Sequence, residues 1–129
     1  MGMDRTVSFA GRPTPAWAAV ADLLARHGFP VQVRMIDGQL AFPDEQPPPS
    51  WQELRVGLPQ GMVTLRRQGD DWVLVTWGNA DAGLLRARNA LAWALAEATG
   101  GGIHTPSGPL SAADFLRTAD LPAATSGNG

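Results

Sequence analysis

Apolar and polar positions alternate along much of the chain before residue 78, and this alternation predicts a series of strands. Period-two alternation, or a short continuous apolar run, is typical of strands buried on one face or on both. The segments with such a pattern are 6–10, 31–35, 54–58, 62–67 and 72–77. Asp37-Gly38 follows the second of them and indicates a tight hairpin, whose return strand carries Leu40 and Phe42 on one face.

A first helix is predicted between the first two strands. Thr14 suits the N-cap and Pro15 the first helical position, where a missing N–H costs nothing. The helix is expected to end at His27, before a left-handed Gly28. Its apolar stripe consists of Trp17, Val20, Ala21 and Leu24.

A longer Ala/Leu-rich helix is predicted over 80–99. Asn79 or Asp81 could cap its start, and the glycines at 100–102 stop it. The stripe expected to face the sheet consists of Leu84, Ala87, Leu91, Leu95 and Ala98. Beyond the glycines we expect a loop or short edge strand over 103–109, and then a short helix capped by Ser111.

This element order predicts the α+β class, with an antiparallel sheet of about five to six strands and the helices packed on one face. The order of strand, helix, several strands and helix resembles that of the TATA-binding-protein-like fold. That similarity concerns element order alone, and a fold does not carry a function. Residues 1–121 are expected to form a single domain, and 122–129 a flexible C-terminal tail.

The composition indicates the cellular location and the source of the protein, but it says little about function. The chain has no cysteine, so disulfides and thiolate metal sites are excluded and a cytoplasmic location is the plainer expectation. A net charge of −2 gives no sign of nucleic-acid binding. No segment has the ~20 consecutive apolar residues of a membrane span. All ten basic residues are arginine, a bias that indicates a GC-rich and therefore bacterial source.

No catalytic, metal or cofactor motif stands out. His27 is expected to cap the first helix, where an imidazole interacts favourably with the helix dipole. His104 and Ser107 lie close in sequence, but nothing places an orienting acid beside them. The chain lacks the His spacing of zinc sites. An enzyme of unknown class is therefore the weakest hypothesis, and no cofactor is predicted.

Trp93 is the most informative single residue, because it falls on the side of its helix opposite Leu91 and Leu95. Either the C-terminal segment 103–121 covers it, or it is exposed with Arg86 and Asn89 as an interface anchor. Tryptophan and arginine are enriched at binding hot spots. The leading hypothesis is accordingly a non-catalytic domain that binds a protein partner or a second copy of itself as a homodimer.

The alternative is a pocket between sheet and helix for a small apolar or aromatic ligand, since such pockets are mostly apolar with few polar groups. Its expected lining residues are Trp72, Trp77, Met62 and Arg66. The adjacent pair Arg66-Arg67 is expected to be solvated at a sheet edge, where charge discourages strand pairing. Arg88 is expected to lay its stem along apolar surface with its head at the rim.

Overall fold

A computed structural model describes residues 5–9, 15–42, 45–48, 50–76, 81–105 and 108–118. The strands are β1 (Arg5–Ser8), β2 (Gln32–Ile36), β3 (Gln39–Leu40), β4 (Glu53–Leu58), β5 (Gly61–Gln68), β6 (Asp71–Val75), β7 (Gly102–Thr105) and β8 (Gly108–Leu110). The helices are α1 (Trp17–Arg26), α2 (Ala82–Thr99) and α3 (Ala112–Thr118). The α+β class is confirmed.

All eight described strands join one sheet in the order β3-β2-β4-β5-β6-β1-β7-β8. Every neighbouring pair is antiparallel. The strand count exceeds the five to six expected from sequence, chiefly because residues after α2 form the hairpin β7–β8 instead of a loop or a single edge strand. Cross-strand pairing, which their own short sequence does not reveal, makes strands of them.

One face of the sheet, called the inner face below, packs against the helices. Pairs on this face include Val7 with Trp72, and Leu65 with both Leu54 and Leu74. These side chains are almost inaccessible to solvent. The opposite, outer face carries the intervening residues, such as Arg55 and Met62. The predicted alternation in β4 and β5 is thus confirmed, and β6 lies in the middle of the sheet as its continuous apolar pattern indicated.

A β-bulge changes the face of part of β2. Val33 pairs with Val56 on the inner face, but the register shifts before Met35 pairs with Arg55. Met35 therefore lies on the outer face, and Ile36 points inward opposite Leu54. The predicted alternation placed Val33 and Met35 on one face, which is wrong because an extra residue in one strand reverses the parity of those that follow.

Helix α1 starts later than predicted but ends as expected. Its N-cap is Ala16, which makes no side-chain capping bond, so the predicted start at Pro15 is wrong; Thr14 lies outside the described residues. Gly28 has φ 86° and donates to the Ala25 carbonyl, while Phe29 donates to the Leu24 carbonyl at 2.8 Å. This is the Schellman arrangement that a glycine at this position favours.

Helix α2 is buried around most of its circumference. The Asp81 side chain accepts a hydrogen bond from the Leu84 N–H at 2.9 Å, so Asp81 is the N-cap, and left-handed Gly100 ends the helix. Leu91 and Leu95 are fully buried as predicted, whereas Ala98 is exposed. Contacts with α1, α3 and the sheet surround α2. A helix enclosed on several sides cannot show a single clean apolar stripe.

The C-terminal elements close the far end of the sheet. Asp114 donates its backbone N–H to the Ser111 hydroxyl at 3.2 Å, which confirms the predicted cap of α3, and Phe115 is buried. Among the described residues, no helix is long and apolar enough to cross a membrane. The predicted tail 122–129 lies outside the described residues.

Candidate functional site

The residues expected to line a ligand pocket do not share one cavity. Trp72 is 2% exposed on the inner face and belongs to the core. Met62 and Arg66 lie on the outer face. Met62 pairs with Gly57, and Arg66 pairs with Glu53 and Val73. Trp77 lies outside the described residues. The sheet therefore separates Trp72 from Met62 and Arg66.

Met62 and Arg66 have separate surroundings on the outer face. Met62 lines an open groove of about 480 Å³ together with Arg34 and Gly57. The Arg66 Nε donates to the Glu53 Oε2 at 2.9 Å, forming a cross-strand ion pair. Because β5 lies inside the sheet and not at its edge, Arg66 does not protect an edge as expected.

Trp93, predicted on the outward side of its helix, is 6% exposed. Its ring packs edge-on against the His27 ring at the end of α1, with the ring centroids 4.5 Å apart. His27 also forms a hydrogen bond through Nδ1 with the Leu23 carbonyl at 3.0 Å, as a C-terminal capping residue would. Trp93 is therefore buried with its ring against the end of α1. In this single chain Trp93 is not available as a surface anchor.

The companions of Trp93 are also partly covered. Arg86 and Asn89 are half-buried. Arg88 is 6% exposed, and its guanidinium donates to the Asn89 side-chain oxygen at 3.0 Å. Its head is therefore buried and not at the rim as expected.

The clearest exposed apolar side chains lie at the opposite end of the sheet, on and beside the edge strand β3. Leu40 is 85% exposed and Phe42 is 75% exposed. The Asp37-Gly38 turn, with φ angles of 50° and 84°, has the left-handed backbone of a tight hairpin, as predicted. It aligns Leu40 opposite Met35 on the outer face.

The backbone of β3 is open at Leu40. The Ala41 N–H donates to the Arg34 carbonyl at 3.0 Å, so Leu40 and Met35 form a pair without mutual hydrogen bonds. The Leu40 N–H and C=O consequently point away from β2. Phe42 is the next residue whose backbone groups point away from β2, and both of these groups are already hydrogen-bonded. The Phe42 N–H donates to the Glu45 carboxylate and the Phe42 C=O accepts from the Glu45 N–H, both at 3.0 Å.

A second feature, which the sequence analysis missed, is a cluster of aromatic rings and one arginine. Trp51 and Trp72 meet edge to face with centroids 4.7 Å apart, and Phe9 meets Trp72 at 5.0 Å. The Arg67 guanidinium carbon lies 4.3 Å from the Trp51 centroid and 5.3 Å from the Trp72 centroid. Arg67 is thus an inner-face residue and not the solvated edge charge expected. Trp51 could have been suspected from sequence, since it lies three residues before the predicted strand 54–58.

Asp37 joins the turn after β2 to the two residues that follow Trp51. Its Oδ1 accepts the backbone N–H groups of Gln52 at 2.8 Å and Glu53 at 2.9 Å, which join the hairpin turn to the start of β4. These hydrogen bonds, first that from Glu53 and then that from Gln52, lower the pKa of Asp37 below its ordinary value. Burial lowers the pKa of Arg67, and the more distant charge of Asp37 partly opposes that effect.

An open cavity of about 370 Å³ adjoins the cluster, between the start of α1 and the segment before β4. We call it the Arg67 pocket. The lining residues used below are Trp17, Ala18, Pro47, Pro48, Trp51 and Arg67. Of all the residues that line it, Arg67 is the charged one and Gln46 is the uncharged polar one, and the rest are apolar.

Groupings typical of metal centres are absent from the described ranges, where no three His, Cys, Asp or Glu residues lie together in a way that could hold an ion. His104 is exposed on β7, and its carbonyl accepts a hydrogen bond from Arg5; Ser107 lies outside the described residues. Searches with the chain found no matching protein-family model, no matching curated protein and no matching solved structure.

Proposed function

We propose that this chain is a binding domain that docks a protein chain at the edge strand β3, and that the occupant is a second copy of itself. The observation that carries the proposal is the exposure of Leu40 and Phe42, at 85% and 75%. Large apolar side chains that remain exposed together on a sheet edge favour association, because an open edge is a template for pairing with another strand.

The geometry of the edge favours a second copy over an unrelated chain. Antiparallel pairing around a two-fold axis is self-complementary. The Leu40 N–H and C=O of one copy would bond to those of the other, and each Phe42 would flank the new pair. The segment 39–42 contains no charged residue, so two copies would meet there without like-charge repulsion.

The expected association is reversible. Glu45 closes the backbone of Phe42, so the open ladder position is confined to Leu40. Two side chains and one pair of peptide groups bury less than the ~800 Å² per partner of a standard stable interface. We therefore expect a dimer whose population rises with concentration.

Native mass spectrometry and sedimentation velocity across a concentration series test the proposal. The unmodified chain should dimerise as concentration rises, and Leu40→Glu should remain monomeric because it places two carboxylates face to face. Met62→Glu is the matched control: Met62 is also an exposed apolar residue, 41% accessible, but it lies in β5 away from the edge. A monomer at every concentration, or equal loss in both variants, would overturn self-association through β3.

A further inference from the structure

The Arg67 pocket combines one cation with lining residues that, apart from Gln46, are apolar. The Arg67 guanidinium is held against the Trp51 and Trp72 rings, and its Nε is buried without a hydrogen-bond partner. Among the described residues, no carboxylate lies within ion-pair distance of it. An arginine fixed by stacking keeps a rigid, planar set of donors that matches a carboxylate in two-pronged geometry.

The charge balance around the pocket suits a ligand with a single negative charge. Arg67 is the one charged residue among the described residues that line the pocket, and Asp37 lies beyond ion-pair distance of it. The first turn of α1, which borders the pocket, contains no acidic residue that would repel an anion. One cation matches a monoanion better than it matches a phosphate dianion, whose second charge would remain uncompensated.

The walls indicate what the rest of the ligand should be. Pro47 and Pro48 offer apolar surface beside the guanidinium, while Trp17 and Trp51 line the pocket from positions that are 9% and 3% exposed. A volume of about 370 Å³ is within the range of small-molecule sites. A small ring or branched alkyl group would find apolar contacts there, while an entirely polar anion would leave the walls uncovered.

We propose that the Arg67 pocket binds a small monocarboxylate with an apolar body, the carboxylate on the Arg67 guanidinium and the body against Pro47, Pro48 and Trp51. This site shares no lining residue with the β3 edge, and the proposal does not rest on self-association. It also differs from the pocket expected from sequence, since that set contained neither Trp51 nor Arg67.

Calorimetric titration with phenylacetate tests the site, with phenylacetamide as the neutral match and inorganic phosphate as the polar anion. We expect phenylacetate to bind with a Kd of about 1 mM or tighter, and phenylacetamide and phosphate to bind about tenfold more weakly or worse. Binding of the amide or of phosphate as tight as that of phenylacetate would overturn the proposed ligand class. Absence of saturable phenylacetate binding at about 10 mM would overturn the site itself.

A variant that leaves the core intact separates binding from folding. Ala18 is exposed and lines the pocket, so Ala18→Glu places a carboxylate at the mouth of the pocket, where it competes with the ligand for Arg67. The substitution lies in the first turn of α1, where an acidic residue is compatible with the helix dipole. Ala19 is exposed beside it without lining the pocket, and Ala19→Glu is the matched control. Ala18→Glu should weaken phenylacetate binding about tenfold, and Ala19→Glu by about twofold at most. Equal effects of the two substitutions would overturn the assignment to this pocket.

Discussion

The guanidinium carbon of Arg67 lies 4.3 Å from the centroid of the Trp51 ring, and this contact joins the end of β5 to the segment that enters β4. The backbone N–H of Arg67 donates to the Gln52 carbonyl at 3.0 Å, so the backbone and the side chain of Arg67 both contact the segment that enters β4. Stacking on indole is favourable for guanidinium because its charge is weakly hydrated and its plane matches the ring.

Loss of this stacked cation should destabilise the fold measurably. Arg67→Ala is expected to lower the free energy of unfolding by about 1–2 kcal/mol, from the lost cation–π contact and the lost packing of the side-chain stem. Urea denaturation measures the change. Arg55→Ala is the control, since Arg55 is exposed on the outer face of β4, and it should shift stability by about 0.5 kcal/mol at most. Equal stability of the Arg67 variant and the unmodified chain would show that the stacking contributes nothing.

The burial of Trp93 makes its substitution a test of the helical layer. Trp93→Ala should cost about 3–5 kcal/mol because it leaves a cavity between α1 and α2, and Trp93→Glu should cost more by burying an unpaired carboxylate. Ala98→Gln, at an exposed position on the same helix, should be nearly neutral. Thermal unfolding followed by circular dichroism compares the three variants. A folded Trp93→Glu of unchanged stability would contradict the placement of Trp93 inside the layer.

Asp37 should make stability depend on pH in the acid range. Hydrogen bonds from Glu53 and Gln52 lower its pKa in the folded chain, so the folded state holds that proton less tightly than the unfolded state. Its contribution is complete above the ordinary aspartate pKa of about 4 and is lost as pH falls through the lower, folded value.

Urea denaturation between neutral and strongly acidic pH checks this dependence with Asp37→Asn as the control. Asparagine tolerates the left-handed backbone at this position, where φ is 50°, and keeps an oxygen acceptor, but it does not titrate. The difference in stability between the two proteins should therefore change over the acid interval below pH 4 or so. A difference that stays constant with pH would rule out this role for Asp37.

Two neighbouring glycines offer a matched comparison at the end of α2. A Cβ on Gly101 would lie 2.5 Å from the Ser8 carbonyl oxygen, whereas one on Gly102 would come no closer than 3.8 Å to its neighbours. Gly101→Ala should lower the free energy of unfolding by about 1–3 kcal/mol, because it forces α2 and β1 apart. Gly102→Ala should have a much smaller effect. Similar unfolding midpoints for the two variants would contradict the close approach at Gly101.

Local sequence signals determined the parts of this fold that depend on near neighbours. Asp37-Gly38 specified the hairpin, Ser111 the start of α3, and Gly28 the end of α1, because each requires only backbone geometry and hydrogen bonds within a few residues. The alternation in β4 and β5 fixed which side chains face the core. The α+β class followed from the order of these elements.

Tertiary structure decided what depends on residues far apart in the chain. Trp93 packs against His27 because α1 lies beside α2. Arg67 stacks on Trp51 because the fold brings the end of β5 next to the segment that precedes β4. Pairing with β1 and with each other makes strands of β7 and β8, and a single bulge in β2 turns Met35 to the outer face. The periodicity of apolar residues along a helix or strand shows which of its sides are apolar. Which neighbour covers each side, and whether any neighbour does, is determined only when the whole chain packs.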